Sequence, residues 1–202
     1  DNLAWKLALV IDGKAPAALL DSYCSERRAA ARENILNSTR STDFITPRFP
    51  ASRAFRDAAL ALARGFPFAR ALVNSGRLSV PTLQPDSPLD TPDRDKDWRG
   101  GPGPGRAMLD APVGNGWLID RLGRDFSLLT FGLDQGEPLA GVAGIAIGGN
   151  GLAWRRYDAR PGTTYLIRPD RYVTARWRSH DHAAVTAALG RAQGRTMGGS
   201  NA

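Results

Sequence analysis

Lysine is almost missing from this sequence, cysteine and histidine nearly so, and no long apolar run occurs. The single cysteine, Cys24, excludes an internal disulfide and any paired-cysteine metal or redox motif. That usage fits a reducing compartment, so a cytoplasmic location is expected. The two histidines, His180 and His182, flank Asp181. Alternate positions on a helix do not share a face, so no metal site is expected. No apolar stretch approaches the roughly 20 residues needed to cross a bilayer, and no membrane association is expected.

Positive charge is not scarce, but it is almost all arginine. Of 27 Lys+Arg, all but Lys6, Lys14 and Lys96 are Arg, and 20 Asp+Glu leave a net charge of +7 over 202 residues. The excess is +5 in residues 1–79 and +2 in residues 80–202. Neither part carries a dense basic run; the segment RRAAAR at 27–32 stands between Glu26 and Glu33. A nucleic-acid partner would need such a patch together with exposed stacking rings, for which Trp154, Tyr157 and Trp177 are the candidates. None is expected.

The sequence also lacks any lead-in to its first helix. Leu3, Trp5, Leu7, Ala8, Val10 and Ile11 follow Asp1 at helical spacing with no preceding segment. Such a start is expected of a processed or trimmed chain, or of a fragment whose working half lies upstream; the resemblance described below implies the second, the C-terminal part of a longer protein. Asp12-Gly13-Lys14 ends this helix, and Pro16 opens another over about 15–40 that buries Leu19, Leu20, Tyr23, Ala30, Ile35 and Leu36. STRSTDF reads as a polar gap and Asp43–Pro47 as a loop. Ser52 is the expected cap of a helix over 53–64, with Phe55, Ala58, Ala59 and Leu62 on one face, and a short helix covers 67–74.

Composition changes after Ser75. Residues 81–105 hold six prolines and four glycines, and read as a linker or a long extended arm. Prolines in GGPGPGR (100–106) remove the N–H donors a phosphate loop requires. Beyond it the pattern is α/β. Phe126–Phe131 is a continuous apolar run, as in a strand buried on both faces, and Val142–Ile147 is another short apolar strand. Thr163–Ile167 and Tyr172–Trp177 form a hairpin about Arg168-Pro169-Asp170-Arg171, and Ser179 caps a closing helix to Ala192. The expected organisation is a helical segment 1–79, a linker 80–105, a domain 106–196 and a tail 197–202.

Strand, loop, helix, strand, hairpin and closing helix is the order of the thioredoxin fold. The redox cysteines of such a domain would fall in residues 132–137, which read GLDQGE. With no thiol there, a thioredoxin-like domain lacking CxxC is expected, structural rather than catalytic.

Asn2, Leu3, Trp5, Lys6, Leu7, Gly13, Ala15, Leu20, Tyr23, Glu26, Arg27 and Arg28 stand in an order and spacing that resembles the class A FAD-dependent aromatic hydroxylases. These include phenol hydroxylase and 3-(3-hydroxyphenyl)propionate hydroxylase. PGTTYLIRPDRYVTARW resembles the terminal hairpin of the thioredoxin-like domain that ends many of them. The resemblance implies a full-length monooxygenase that uses FAD, NAD(P)H and O₂ to hydroxylate a phenolic or other aromatic substrate, and a homodimer. It also implies what this chain lacks: the dinucleotide fingerprint and the loop at the flavin ring. The fragment is expected to bind no cofactor and to hold no catalytic residue. Its alternative is a non-enzymatic dimerisation or interaction module.

The candidate cofactor-binding residue is Asn2, near the flavin loop in the full-length protein; bonding to local backbone is its other expected role. Trp5 and Tyr23 are expected to pack between helices. Glu26, Arg27 and Arg28 are expected to form surface ion pairs worth ~0–1 kcal/mol. Cys24 reads as a small apolar residue, and Arg40 and Asp43 as polar loop residues able to bridge domains.

Overall fold

The computed structural model describes residues 1–73, 80–84, 86–133 and 139–195. Two compact units emerge: Asp1–Arg27 with Leu83–Ala202, and Arg28–Thr82. The opening helix thus groups with the second half of the chain instead of with residues up to 79.

In the first unit, α1 (Asn2–Ile11) is followed by a 3₁₀ turn (Ala17–Leu20) and the first turns of α2 (Asp21–Ile45). Gly13 adopts φ +69 after α1, as the expected stop requires. A two-residue ladder pairs β1 (Pro112–Val113) with β2 (Gly116–Trp117), and α5 (Leu118–Arg121) follows. The main sheet holds β3 (Phe126–Phe131), β4 (Val142–Ile147), β5 (Thr164–Ile167) and β6 (Val173–Trp177), in the order β4-β3-β5-β6. β4 runs parallel to β3, from Phe126↔Val142 to Phe131↔Ile147, while β3–β5 and β5–β6 are antiparallel. The short α6 (Leu152–Arg156) precedes the hairpin, and α7 (His182–Ala192) closes the unit.

Every residue of β3 is buried, because both sheet faces are covered. Side chains alternate across a strand, so β3 feeds two cores. Leu129 and Phe131 pack with Ile145, Tyr157, Tyr165 and Leu118 on one face. Phe126 and Leu128 pack on the other with Trp5, Leu19, Leu89, Val185 and Leu189. Trp5 meets Phe126 edge-on at 5.5 Å, in the packing role expected for it. Tyr157 and Trp177 are buried in these cores and offer no exposed stacking platform. Asp181, not Ser179, caps α7: its carboxylate accepts from the Ala184 N–H.

The proline-rich arm before the sheet is not a loose connector. It runs along β6, whose edge would otherwise leave backbone groups unpaired. Thr91 N–H donates to the Thr174 carbonyl (2.8 Å), Gly105 N–H to Val173 (2.9 Å), and Val173 N–H to Arg106 (2.9 Å). Side chains fasten the rest. The guanidinium carbons of Arg176 and Arg178 lie over the Trp98 ring, 4.0 and 3.6 Å from its centre. Asp93 takes a forked pair of bonds from Arg176, and Asp97 and Asp158 accept from Arg178. Gly101, at φ +72, lies so close to Tyr165 that a Cβ would sit 2.6 Å from the phenol oxygen.

The second unit holds the rest of α2, then α3 (Pro50–Gly65) and α4 (Pro67–Val73). α2 continues through the expected polar gap to Ile45. Polar residues do not break a helix when they face water, and Pro47 marks where it must stop. α3 starts at Pro50 in the first turn, with no cap from Ser52. Ala59 is buried as expected, but Phe55 is 65% exposed, Leu62 45%, Ile35 67% and Leu36 48%. A unit this small has too little interior to cover all its apolar side chains.

Candidate functional site

The most heavily charged interior lies where α1, the start of α2 and the β5–β6 turn meet. Arg168 directly follows β5 and is 1% exposed. Pro169 and Asp170 form the turn, and Arg171 takes φ +70. Arg171 N–H closes the turn onto the Arg168 carbonyl at 2.9 Å.

The Arg168 guanidinium is spent on two carboxylates. It reaches Glu26 Oε1 and Oε2 at 2.7 and 3.1 Å, and Asp170 Oδ1 and Oδ2 at 3.0 and 2.7 Å. Glu26 also accepts from Lys6 Nζ at 2.7 Å and from the Ser87 hydroxyl at 2.6 Å. Asn2 Nδ2 donates to Glu26 Oε2 (2.7 Å) and to Asp170 Oδ2 (2.8 Å), while its Oδ1 is buried and accepts nothing from the described residues. The Arg168 guanidinium carbon is also 5.3 Å from the centre of the Trp5 ring.

Two cations and two carboxylates balance here. Burial alone would raise Glu26; the bonds and charges of Arg168 and then Lys6 outweigh it and bring Glu26 down to about 2. Burial lowers Lys6, and Glu26 opposes this only in part. Burial also lowers Arg168, but Asp170 and Glu26 more than reverse that, so it stays charged. Beside them Asp90 is pushed up to about 7 by burial, against the attraction of Arg168. Most polar groups of the cluster are bonded to one another, which locks α1, the start of α2 and the β5–β6 turn together.

Asn2, the candidate cofactor residue, is therefore bonded to side chains and not to local backbone. Glu26 is at the centre of a buried network instead of a surface ion pair, and its partners are not Arg27 or Arg28. Nothing local in the sequence pairs Glu26 with Arg168, 142 residues away. The one available sign was an arginine opening a Pro-Asp turn beside an apolar strand. Tyr23 is half-buried, Cys24 exposed, and Arg40 and Asp43 lie within α2 instead of a loop. Of the loop expected to replace redox cysteines, residues 134–137 lie outside the described residues.

A separate cavity of about 450 Å³ is lined by Val113, Arg121, Ile147, Ala153 and Trp154. Its one charge, Arg121, is already bonded to the Val113 carbonyl. Among the described residues no cluster of His, Cys, Asp or Glu is placed to hold a metal, and no helix is long and apolar enough to cross a membrane.

Residues 1–38 match the FAD binding domain family. The chain is 50% identical over 56 residues to a 3-(3-hydroxy-phenyl)propionate/3-hydroxycinnamic acid hydroxylase of Klebsiella pneumoniae (strain 342), covering 28% of this chain and 10% of that protein. With the enzyme of the same name from Comamonas testosteroni the identity is 41% over 66 residues, 33% of this chain and 11% of that protein. Among solved structures, the flavin-dependent monooxygenase PieE, in complex with FAD and substrate, superposes with a TM-score of 0.69 at 24% identity, over 95% of this chain and 42% of that one. The anhydrotetracycline hydroxylase OxyS from Streptomyces rimosus gives a TM-score of 0.61 at 27% identity, over 94% and 38%. This chain is thus similar to FAD-dependent aromatic hydroxylases, as its opening stretch led us to expect. It spans about a tenth of the curated relatives and about two fifths of the solved neighbours.

Proposed function

We propose that this chain is the C-terminal part of an FAD-dependent monooxygenase that hydroxylates a phenolic or other aromatic substrate with NAD(P)H and O₂. The observation that carries this reading is the match of residues 1–38 to the FAD binding domain, beside 41–50% identity to 3-(3-hydroxy-phenyl)propionate/3-hydroxycinnamic acid hydroxylases over 56–66 residues. Bound FAD would supply the oxygen activation. Asn2, the candidate for a direct contact, has its amide nitrogen committed to Glu26 and Asp170 and its oxygen covered by this chain, so the residues present here would support the flavin site from α1 without touching the cofactor through Asn2.

In this reading the first unit ends in a thioredoxin-like domain with no redox role. The strand order β4-β3-β5-β6, with one parallel and two antiparallel pairings, supports it. The test is the visible spectrum of the full-length gene product. A yellow protein whose flavin bands bleach with NAD(P)H, faster when a phenol is present, is expected. A colourless full-length product that leaves NAD(P)H untouched overturns the proposal.

The second unit favours an additional reading. Phe49, Phe55, Phe66 and Phe68 are 53–69% exposed, an apolar set suited to a subunit contact. A homodimer is expected, and a monomeric mass by light scattering rejects it.

A further inference from the structure

We infer that the cavity at the end of β4 is a binding site for a small monocarboxylate with a compact apolar body. The inference stands on the first unit alone and uses no flavin chemistry. The cavity measures about 450 Å³, within the range of roughly 300–1,000 Å³ usual for small-molecule sites.

Its walls are apolar and held from behind. Val113, Ile147 and Ala153 belong to the core on that face of the sheet. The Trp154 ring is fixed from two sides. Its Nε1–H donates to the Gly148 carbonyl at 3.1 Å, and Phe131 meets it edge-on at 5.6 Å. A Cβ on Gly132 would come within 3.0 Å of the same ring, so the ring has no room to retreat. Two glycines of the lining are not required by packing. A Cβ on Gly148 or Gly151 meets no atom within 4 Å, and neither residue has a positive φ. Their missing side chains keep the lining open.

A cation stands against this apolar lining, and the lining holds no acidic side chain. α5 is anchored by the fully buried Leu118 and by Asp110 Oδ1, which accepts from the Ile119 N–H at 3.0 Å. That anchoring places Arg121, the last residue of α5, against the β1–β2 turn. There its Nη2 donates to the Val113 carbonyl at 2.8 Å, and a Cβ on Gly114 would crowd that nitrogen at 2.8 Å. A guanidinium carries five N–H groups, and Val113 takes one of them. Arg168, Arg176 and Arg178 are spent on carboxylates; Arg121 pairs with none among the described residues. It is exposed, so its remaining donors are open to a ligand. A pinned guanidinium beside apolar walls matches a carboxylate on an apolar body. The carboxylate takes the fork, and the body covers Val113, Ile147 and Trp154. A neutral ligand leaves the fork unused, and a bare small anion leaves the walls wet.

The experiment labels the isoleucine δ1-methyl groups of the full-length protein with carbon-13 and follows the Ile147 signal by NMR, assigned with Ile147→Val. The probe is cyclohexanecarboxylate. A shift that saturates below about 10 mM is expected. Cyclohexylmethanol has the same body without the charge, and acetate the same charge without the body. Each is expected to bind about tenfold more weakly or worse. Arg121→Gln is expected to raise the dissociation constant about tenfold or more, and Arg121→Lys, which keeps the charge, to recover part of the loss. Gly148→Val adds bulk to the lining where no atom stands in the way, and is expected to abolish the shift. The signal belongs to a wall of the cavity, so a probe molecule taken up elsewhere on the protein does not produce this pattern. A wild-type signal that does not saturate overturns the inference, as does equal binding of cyclohexylmethanol or an unchanged constant in Arg121→Gln. Should Arg121→Gln lack a native circular dichroism spectrum, the cyclohexylmethanol comparison on the wild-type protein decides.

Discussion

Asp90 and Glu26 sit a few side chains apart and titrate in opposite directions. Burial raises Asp90 from 3.8 to about 7, while Arg168 and Lys6 help lower Glu26 from 4.5 to about 2. The signs follow from which state binds the proton. Between pH 3.8 and about 7 the unfolded chain ionises Asp90 and the folded one does not, so stability falls as pH rises, by up to ~1.4 kcal/mol per pH unit. The Glu26 contribution is complete above pH 4.5 and is lost as pH falls through about 2. Arg168, Asp170 and Thr174 face Asp90 as well. Asp90→Asn is expected to raise the urea midpoint at pH 8 and to change it little at pH 4; an unchanged or lower midpoint at pH 8 contradicts this account. Arg168→Ala leaves the buried Asp170 without its cation and Glu26 with Lys6 alone, and is expected to cost ~3–5 kcal/mol in urea denaturation. Cys24 is exposed, so Cys24→Ser should stay within about 0.5 kcal/mol of the parent by the same measurement. None of the buried residues in this network could be told from surface ones by their neighbours in sequence. Glu26 was expected in a surface ion pair because its main partner, Arg168, arrives from much later in the chain.

At the level of elements, apolar continuity located β3, β4, β5 and β6 because it is a local property. The arm defeated the same approach. Its prolines and glycines rule out a helix or a ladder, but they do not rule out order. What holds it is Asp93, Asp95, Asp97 and Trp98 on the arm against Arg176 on β6 and Arg178 just after it. The alternation of acids in DRDKDW and of arginines in ARWR was the legible sign. Trp98→Ala removes the ring that both guanidinium groups lie over. It is expected to cost about 2 kcal/mol and to expose Arg94 and Lys96 to trypsin. Unchanged trypsin resistance would mean that the backbone bonds along β6 suffice. Gly101→Ala is expected to be worse than an ordinary loop substitution, because its new methyl meets the Tyr165 hydroxyl, which is bonded to the Tyr157 carbonyl at 2.6 Å.

For the whole molecule, the opening stretch and the hairpin were enough to point to a flavin hydroxylase. The division of the chain was not legible, because residues 1–27 join a unit whose remainder starts at Leu83. Expressed alone, this chain is expected to be colourless and to leave NAD(P)H unoxidised when phenols are added; a flavin spectrum that survives gel filtration would contradict that. The exposed phenylalanines of the second unit make aggregation of the isolated chain the practical risk in that measurement.

The distance along the chain from Glu26 to Arg168 also sets a clock. A ribosome adding roughly 5–20 residues per second needs about 7 to 30 s to travel those 142 residues. Throughout that interval the nascent α1 region has Lys6 and Glu26 but neither the guanidinium nor the sheet that later covers them. Its burial is therefore a late event in synthesis, and pulses of stalled translation that stop short of Arg168 should leave the first residues open to protease.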